Sequence, residues 1–172
     1  MKATLVTLLT GLFLVLIPSP MHGCSCDLDL RHPGASKNRQ VKKHFKEAAA
    51  VFVGTAVEVE PVLGEITQPD GTKVKGAVDY RVRFLVKETY KGTLAKYVST
   101  NTGSGWGDCS YGQMTKGHDY LVYASSVAGN SEVNFGLCGG TRRFPRGDDS
   151  QTYKTDHGAE LNILRKLGKH HL

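Results

Sequence analysis

Two cysteines separated by one residue, Cys24 and Cys26, lie where a hydrophobic leader gives way to a polar, turn-rich sequence. Because side chains alternate along an extended backbone, cysteines two residues apart point the same way and can be bridged to one neighbouring surface. Two further cysteines follow, Cys109 and Cys138, and an even number in an exported chain predicts two disulfides. Four cysteines allow three connectivities. A bridge from the terminal pair to either downstream cysteine would close a loop of roughly a hundred residues.

Residues 1–23 have the composition of a signal peptide: a lysine near the start, an apolar run from Leu5 to Ile17, and prolines before a small residue. Cleavage after Gly23 would make Cys24 the mature amino terminus. A second interpretation takes residues 21–24 as a bacterial lipobox with a lipidated cysteine. We therefore expect a secreted or extracellular protein, in the periplasm or cell envelope if the source is bacterial. No later run approaches the length of a membrane span.

The remaining residues, 24–172, are enough for one domain, and the 40% hydrophobic content of the chain suffices for a packed core. The chain is basic, with a formal net charge of +6. Basic residues crowd its early part: Arg31, Lys37, Arg39, Lys42, Lys43 and Lys46. They indicate either attraction to an acidic partner or the solvated face of a helix.

The pattern of apolar residues predicts a mainly β protein with helices at its margins. Helices are expected over 37–50 and 159–168, where apolar residues recur every three and four positions. Alternating and β-branched segments predict five strands, over 50–60, 80–90, 98–102, 119–124 and 132–137. Five short strands favour a small closed or partly open barrel, with the OB-fold among the candidates.

Glycine and proline divide these strands. A bend is expected at Gly54, and Pro61 is expected to end the first strand. Residues 62–78 are predicted to form an exposed loop or ragged hairpin around the turn sequence Gln68–Gly71. After the last strand, residues 139–145 are expected to leave the sheet.

No sequence motif indicates an enzyme. The chain has no G-x-S-x-G, no H-E-x-x-H and no paired carboxylates in a recognisable frame. We therefore expect neither a catalytic site nor a cofactor of its own. OB-folds often bind nucleic acid, and strand residues such as Tyr80, Arg81 and Phe84 could supply stacking and charge, but export argues against that partner.

Several segments together are similar to one known family. They are Cys24-Ser25-Cys26, the strand Ala50–Val57, the segment Phe84–Gly92, Asp108–Gly112, Tyr120–Ala124 and Leu137-Cys138. In order and spacing the chain resembles the tissue inhibitors of metalloproteinases, in a short single-domain form. The resemblance implies a five-stranded OB-fold barrel of the netrin-module type with flanking helices. The chain has four cysteines and one barrel, where animal members add a second domain.

The resemblance also implies a site. It pairs Cys24 with Cys109 and Cys26 with Cys138. The partner would be a zinc metalloendopeptidase, whose catalytic zinc is chelated by the α-amino nitrogen and carbonyl oxygen of Cys24, with Ser25 in the specificity pocket. Trp106, Gly107 and Asp108, next to Cys109, would adjoin the contact ridge. The zinc belongs to the target, and the inhibitor is expected to be a monomer.

The chemistry of an amino terminus fits this role. A catalytic zinc keeps one position open for water, and an amine and carbonyl from one residue form a five-membered chelate that can displace it. An α-amino group has a pKa of roughly 7.7 to 8, so deprotonation near neutral pH costs little. The alternative function is a non-inhibitory exported interaction module, free or lipid-anchored, that uses the same barrel as a scaffold.

Overall fold

The computed structural model describes residues 37–104, 110–136, 139–144 and 151–169 of the chain, with the side chains of 151–157 excluded. Within these ranges, two helices frame seven strands. The helices are α1 (Lys37–Glu47) and α2 (Gln151–Gly168). The strands are β1 (Ala50–Thr67), β2 (Lys73–Lys91), β3 (Tyr97–Asn101), β4 (Asp119–Ala124), β5 (Ser126–Ala128), β6 (Glu132–Asn134) and β7 (Arg142–Arg143).

The strands form one curled sheet in the order β5-β6-β3-β2-β1-β4-β7. Its pairings are antiparallel except between β3 and β6, which are parallel. Only Ser125 separates β4 from β5, although the two lie towards opposite ends of this order. The Ser125 amide donates to the carbonyl of Asn134 at 2.8 Å, so the break between β4 and β5 remains attached to β6.

Strands β1 and β2 form a hairpin that extends past the rest of the sheet. β4 pairs with β1 only over 50–55, and β3 pairs with β2 only over 81–85. The remainder is a two-stranded arm, which places Leu63, 71% exposed, in solvent. The predicted turn at its tip is confirmed, since the Gly71 amide donates to the carbonyl of Gln68 at 2.9 Å.

The inner face of the sheet encloses one apolar cluster. Alternate residues of the long strands point into it, including Phe52 of β1, Phe84 of β2 and Val98 of β3. Other members come from β4 and β6, and Met114 joins from a loop. In β2 this interior produces the alternation that the sequence predicts, because Val82 and Phe84 point inward while Arg81 and Arg83 are exposed.

The outer face of β1 and β4 is covered by the helices. A second cluster joins Val41 and Phe45 of α1 and Leu164 of α2 to the outward side chains of Val51 and Leu121. Both faces of this strand pair are therefore buried, which explains the unbroken apolar run at the start of β1.

Lys91, at the end of β2, caps the carboxyl end of α1. Its ammonium group donates to the carbonyls of Phe45 at 2.8 Å, Lys46 at 3.1 Å and Ala48. The last carbonyls of a helix have no partner within the helix, and a cation there also interacts favourably with the helix dipole. The side chain thus joins the helix layer to the sheet.

Several predicted boundaries change in the structure. Pro61 does not end β1. Past residue 55 that strand pairs only with β2 among the described strands, so its other edge is not paired with a strand and the amide hydrogen that proline lacks is not needed there. Residues 62–78 form a hairpin, which is one of the two predicted alternatives. The sheet has seven strands instead of five: β5 was not predicted, and residues 142–143 pair with β4 instead of leaving the sheet.

Other predictions hold. The register of β1 shifts at Gly54, where a bend was expected, β4 has its predicted limits, and α2 ends at Gly168. α2 begins eight residues earlier than predicted, at Gln151 rather than 159. Neither helix in the described part of the chain has the length and apolarity that crossing a membrane requires.

Two turn glycines make a matched test of this packing. Gly92 and Gly71 have nearly equal positive φ angles, 82° and 83°. A Cβ on Gly92 would lie 3.0 Å from the Ala50 Cβ, whereas a Cβ on Gly71 would meet nothing within 4 Å. We expect Gly92→Ala to lower the free energy of unfolding by about 2 to 3 kcal/mol and Gly71→Ala by about 1 kcal/mol. Urea titrations measure both, and equal losses would contradict the packing at Gly92.

Candidate functional site

The residues predicted to form the inhibitory site lie outside the described part of the chain. They are Cys24, Ser25, Cys26, Trp106, Gly107 and Asp108, together with the predicted disulfide partners Cys109 and Cys138. The structure does describe the residues on either side of Cys109 and of Cys138. These flanking segments define the candidate site.

The segment containing Cys109 is closed at its base by a pair of residues, Thr102 and Gly112. The Gly112 amide donates to the Thr102 carbonyl at 3.0 Å, and the Thr102 hydroxyl donates to the Gly112 carbonyl at 2.7 Å. The Thr102 amide also donates to the carbonyl of Tyr80 in β2 at 2.9 Å. Thr102 and Gly112 are both buried, so little water competes for these bonds.

A carboxylate at the base of the arm holds the start of the same loop. Asp79 Oδ1 accepts from the backbone amide of Gly103 at 2.7 Å and from that of Tyr80 at 2.7 Å. Charge-assisted bonds of this kind are stronger than neutral ones. The loop therefore leaves the sheet from a fixed point beside the arm.

The residues after Cys109 and before Cys138 meet in an aromatic cluster. Tyr111 stacks edge-on against Phe135, with ring centroids 5.9 Å apart, and against Tyr120 at 6.3 Å. Phe84 contacts Tyr120 at 6.0 Å and Phe135 at 6.4 Å. Edge-to-face pairs of this geometry contribute about 0.5 to 1.5 kcal/mol each beyond the area they bury. Tyr111 and Phe135, which flank the two cysteine-bearing segments, therefore lie side by side on the inner face of the curled sheet.

The chain that follows Cys138 is also attached to the sheet. The Gly139 amide donates to the carbonyl of Gly136 at 3.2 Å. The Thr141 hydroxyl accepts from the Tyr123 amide at 3.0 Å, and β7 then pairs with β4. Burial raises the pKa of the Tyr111 hydroxyl, although a backbone hydrogen bond from Arg143 opposes this shift. Tyr111 thus contacts Phe135, on the flank that precedes Cys138.

A buried polar group joins this segment to α2. Glu160, 1% exposed, accepts from the Tyr123 hydroxyl at 2.7 Å and forms an ion pair with Arg142. Burial raises the pKa of Tyr123 to about 12, so its hydroxyl stays protonated and remains a donor at neutral pH. Removing one member of a buried pair is costly because the other charge stays unpaired.

His44 of α1 also packs in this neighbourhood. Its ring packs against Tyr123 at 5.7 Å, and burial lowers its pKa. Within the described ranges no group of three or more His, Cys, Asp or Glu side chains is arranged to hold a metal ion. A scan against protein-family models gives no match, and neither does a search of curated proteins.

Sequence analysis did not find the contacts that organise this site. Thr102 was predicted only as the end of a strand, and Asp79 lies between the loop or hairpin predicted over 62–78 and the strand predicted from residue 80. Their partners are ten and twenty-four residues away, and no local pattern indicates such pairs. Tyr111 lies in one of the segments that carry the family resemblance, but its stacking on Phe135 depends on the curl of the sheet.

The base of the loop can be tested with two buried threonines. We expect Thr102→Val to lower the free energy of unfolding by about 1 to 2 kcal/mol, because the buried Gly112 carbonyl loses its donor. Amide hydrogen exchange at Gly112 should also become faster. Thr100→Val is the control, since that hydroxyl donates only to the adjacent Asn101 carbonyl at 3.1 Å. Unchanged exchange at Gly112 in Thr102→Val would show that the hydroxyl does not hold the loop.

Proposed function

We propose that the protein is an exported inhibitor of zinc metalloendopeptidases, with Cys24 as its first residue and two disulfides holding that terminus. In this proposal Cys24 pairs with Cys109 and Cys26 pairs with Cys138. One observation carries the proposal: the residues that flank Cys109 and Cys138 pack together, with Tyr111 and Phe135 in ring contact at 5.9 Å.

We propose further that the curled sheet is an OB-type barrel. If β4 and β5 count as one strand broken at Ser125, the strand order becomes β1-β2-β3-β6-β5/β4 and returns to β1. That circle has five strands, an antiparallel β1–β4 pair and a parallel β3–β6 pair. The single interior cluster, to which β1, β2, β3, β4 and β6 contribute, supports this interpretation.

The length of the chain restricts where the downstream cysteines can lie. Cys109 is two residues from Tyr111 and Cys138 is three from Phe135, so their Cα atoms lie within roughly 7 Å and 11 Å of those anchors. The Cα atoms of Cys24 and Cys26 are within roughly 7 Å of each other, and a disulfide spans about 4.4 to 6.8 Å. Because Cys24 and Cys26 are so close together, they can form two disulfides with Cys109 and Cys138 only if those two cysteines are also neighbours.

A terminus fixed in this way suits zinc chelation. The α-amino nitrogen and the carbonyl oxygen of Cys24 would replace water on the zinc of the protease, and Ser25 would enter the adjacent pocket. Metal binding favours the deprotonated amine, so inhibition should strengthen as the pH rises through roughly 8. Trp106, Gly107 and Asp108 belong to the segment held by Thr102, Gly112 and Asp79, and would contact the protease beside Cys24.

Preorganisation supplies the affinity in this account. Binding normally loses free energy when a flexible segment becomes ordered, and rigidifying the segment beforehand reduces that loss. The hydrogen bonds at Thr102 and Asp79 and the aromatic cluster order the loop base in the free protein. The proposal includes no catalytic activity and no bound cofactor of the inhibitor itself.

An added residue in front of Cys24 tests the mechanism. The mature protein, a variant with one alanine before Cys24 and an amino-terminally acetylated form would be titrated against a panel of zinc metalloendopeptidases. Either change turns the α-amine of Cys24 into an amide, so the inhibition constant should rise about a hundredfold or more.

The matched control carries one alanine after Leu172, which changes the length equally and leaves the amine free. Its inhibition constant should equal that of the mature protein. Full potency of the variant with alanine before Cys24 would rule out chelation by the amine. Absence of inhibition by the mature protein across the panel would favour the non-inhibitory interaction module.

A further inference from the structure

His44 lies on the side of α1 that packs against the sheet. Val41, Phe45 and Ala48 of this helix are buried in the cluster beneath the helices. His44 follows Val41 by three residues and precedes Ala48 by four, so it shares their side of the helix and is half-buried there. An imidazole whose charge changes between roughly pH 5 and 8 therefore borders an apolar contact.

The His44 ring contacts the chain that follows Cys138, residues 139–144, which we call the 139–144 segment. Gly140 in this segment has a φ angle of 86°. A Cβ on Gly140 would lie 3.2 Å from His44 Cγ and Cδ2 and 3.4 Å from its Nδ1. The ring also packs against the ring of Tyr123 in β4, with centroids 5.7 Å apart. The absence of a side chain at position 140 thus lets the imidazole approach the backbone directly.

Hydrogen bonds and an ion pair attach the same segment to β4 and α2. The Tyr123 amide donates to the Thr141 hydroxyl at 3.0 Å. The Arg142 guanidinium donates to the Gly140 carbonyl at 3.4 Å and pairs with Glu160 of α2. The Tyr123 hydroxyl donates to Glu160 as well, at 2.7 Å. The imidazole of His44 is therefore the contribution of α1 to a set of contacts that position the 139–144 segment.

The surroundings of His44 disfavour its protonated form. Burial lowers the pKa of His44, because the imidazolium would lose water there. Glu47 on the same helix raises this pKa, whereas the cations of Lys43 and Arg142 lower it. The charged and titratable side chains on the elements around the ring are Lys43 and Glu47 of α1, Tyr90 and Lys91 of β2, Tyr123 of β4, Arg142 of β7 and Glu160 of α2.

We propose that His44 is a pH-sensitive contact, which holds the 139–144 segment against the sheet while it is neutral and holds it less tightly once it is protonated. The neutral ring packs closely on Gly140 and Tyr123. The imidazolium requires water and is repelled by the guanidinium of Arg142. Protonation therefore opens this contact from the helix side, without breaking the pairing of β4 with β1.

The direction of the shift sets the pH range of this effect. An unfolded histidine has a pKa of roughly 6.5, and the pKa of His44 in the folded protein is lower. Between these two values the open state binds more protons than the closed state, so the contact weakens as the pH falls below about 6.5. Above that pH the ring is neutral in both states and its packing contributes fully. Ordinary carboxylates titrate lower, near roughly pH 4, and do not account for a change above about pH 5.

This pH-sensitive contact does not depend on protease inhibition. Its consequence for inhibition does rest on the proposed function, in which a bridge from Cys26 to Cys138 joins the amino terminus to the 139–144 segment. Loosening that segment in an acidic medium would then reduce the preorganisation of the terminus. The test below needs no protease, so the contact can fail or succeed separately from the proposed inhibition.

Amide hydrogen exchange of the mature protein at about pH 7.5 and about pH 5.5 tests the proposal, after correction for the intrinsic exchange rate. The Tyr123 amide reports on the segment, because it donates to the Thr141 hydroxyl. The Gly112 amide, which donates to the Thr102 carbonyl, is the internal reference. We expect the opening constant at Tyr123 to rise about threefold or more at the lower pH, relative to that at Gly112.

Two variants assign the effect to His44. His44→Phe keeps an aromatic ring beside Gly140 and Tyr123 but cannot be protonated, so exchange at Tyr123 relative to Gly112 should be equal at the two pH values. His44→Gln also lacks the charge change and should be equally insensitive to pH, with more opening at both values because the ring is lost. The titration of the His44 ring in nuclear magnetic resonance spectra should have a midpoint below the ordinary value of roughly 6.5.

Three results would overturn the proposal. The first is unchanged relative exchange at Tyr123 in the parent protein between the two pH values. The second is the same pH dependence in the parent and in His44→Phe and His44→Gln, which would assign the effect to another group. The third is an equal rise at Tyr123 and Gly112, which would show that acid loosens the whole fold and not this segment.

Discussion

Burial of β4 and of the part of β1 that pairs with it, residues 50–55, on both of their faces is the constraint on which the rest of this structure depends. Phe52 and Val122 point into the cluster on the inner face of the sheet, while Val51 and Leu121 point into the cluster beneath the helices. Each fully buried side chain of this size contributes about 1.5 to 3 kcal/mol relative to exposure. The strand pair thus holds two cores together.

The position of the helices in turn fixes the segments that they contact. Glu160 of α2 pairs with Arg142, which keeps the chain after Cys138 against β4. Lys91 joins the end of α1 to β2 and so holds the basic side of that helix outward. One layer of helices therefore stabilises the segment that follows Cys138.

Much of the framework follows from local patterns. Alternation predicts the strands at 50–60 and 119–124, and glycine and proline predict the arm turn and the irregularity at Gly54. The features that local patterns do not predict depend on contacts with residues that are distant in the chain. Pro61 is tolerated within β1 because of which edge is unpaired, and the short β7 exists because residues 142–143 are held near β4. The bonds between Thr102 and Gly112 and between Asp79 and Gly103 likewise require the curled sheet.

For the site, the cysteines and their even number come from the sequence, whereas the neighbourhood of Cys109 and Cys138 comes from the fold. Peptide mapping of the unreduced, exported protein tests the combination most directly. Trypsin cuts after Arg31, Lys96, Lys116 and Arg142, so each bridge should join the peptide 24–31 to 97–116 or to 117–142. We predict one three-peptide species that begins at an unmodified Cys24, and fragmentation should assign Cys24 to Cys109 and Cys26 to Cys138. A bridge between Cys109 and Cys138, or a lipid on Cys24, would contradict the account.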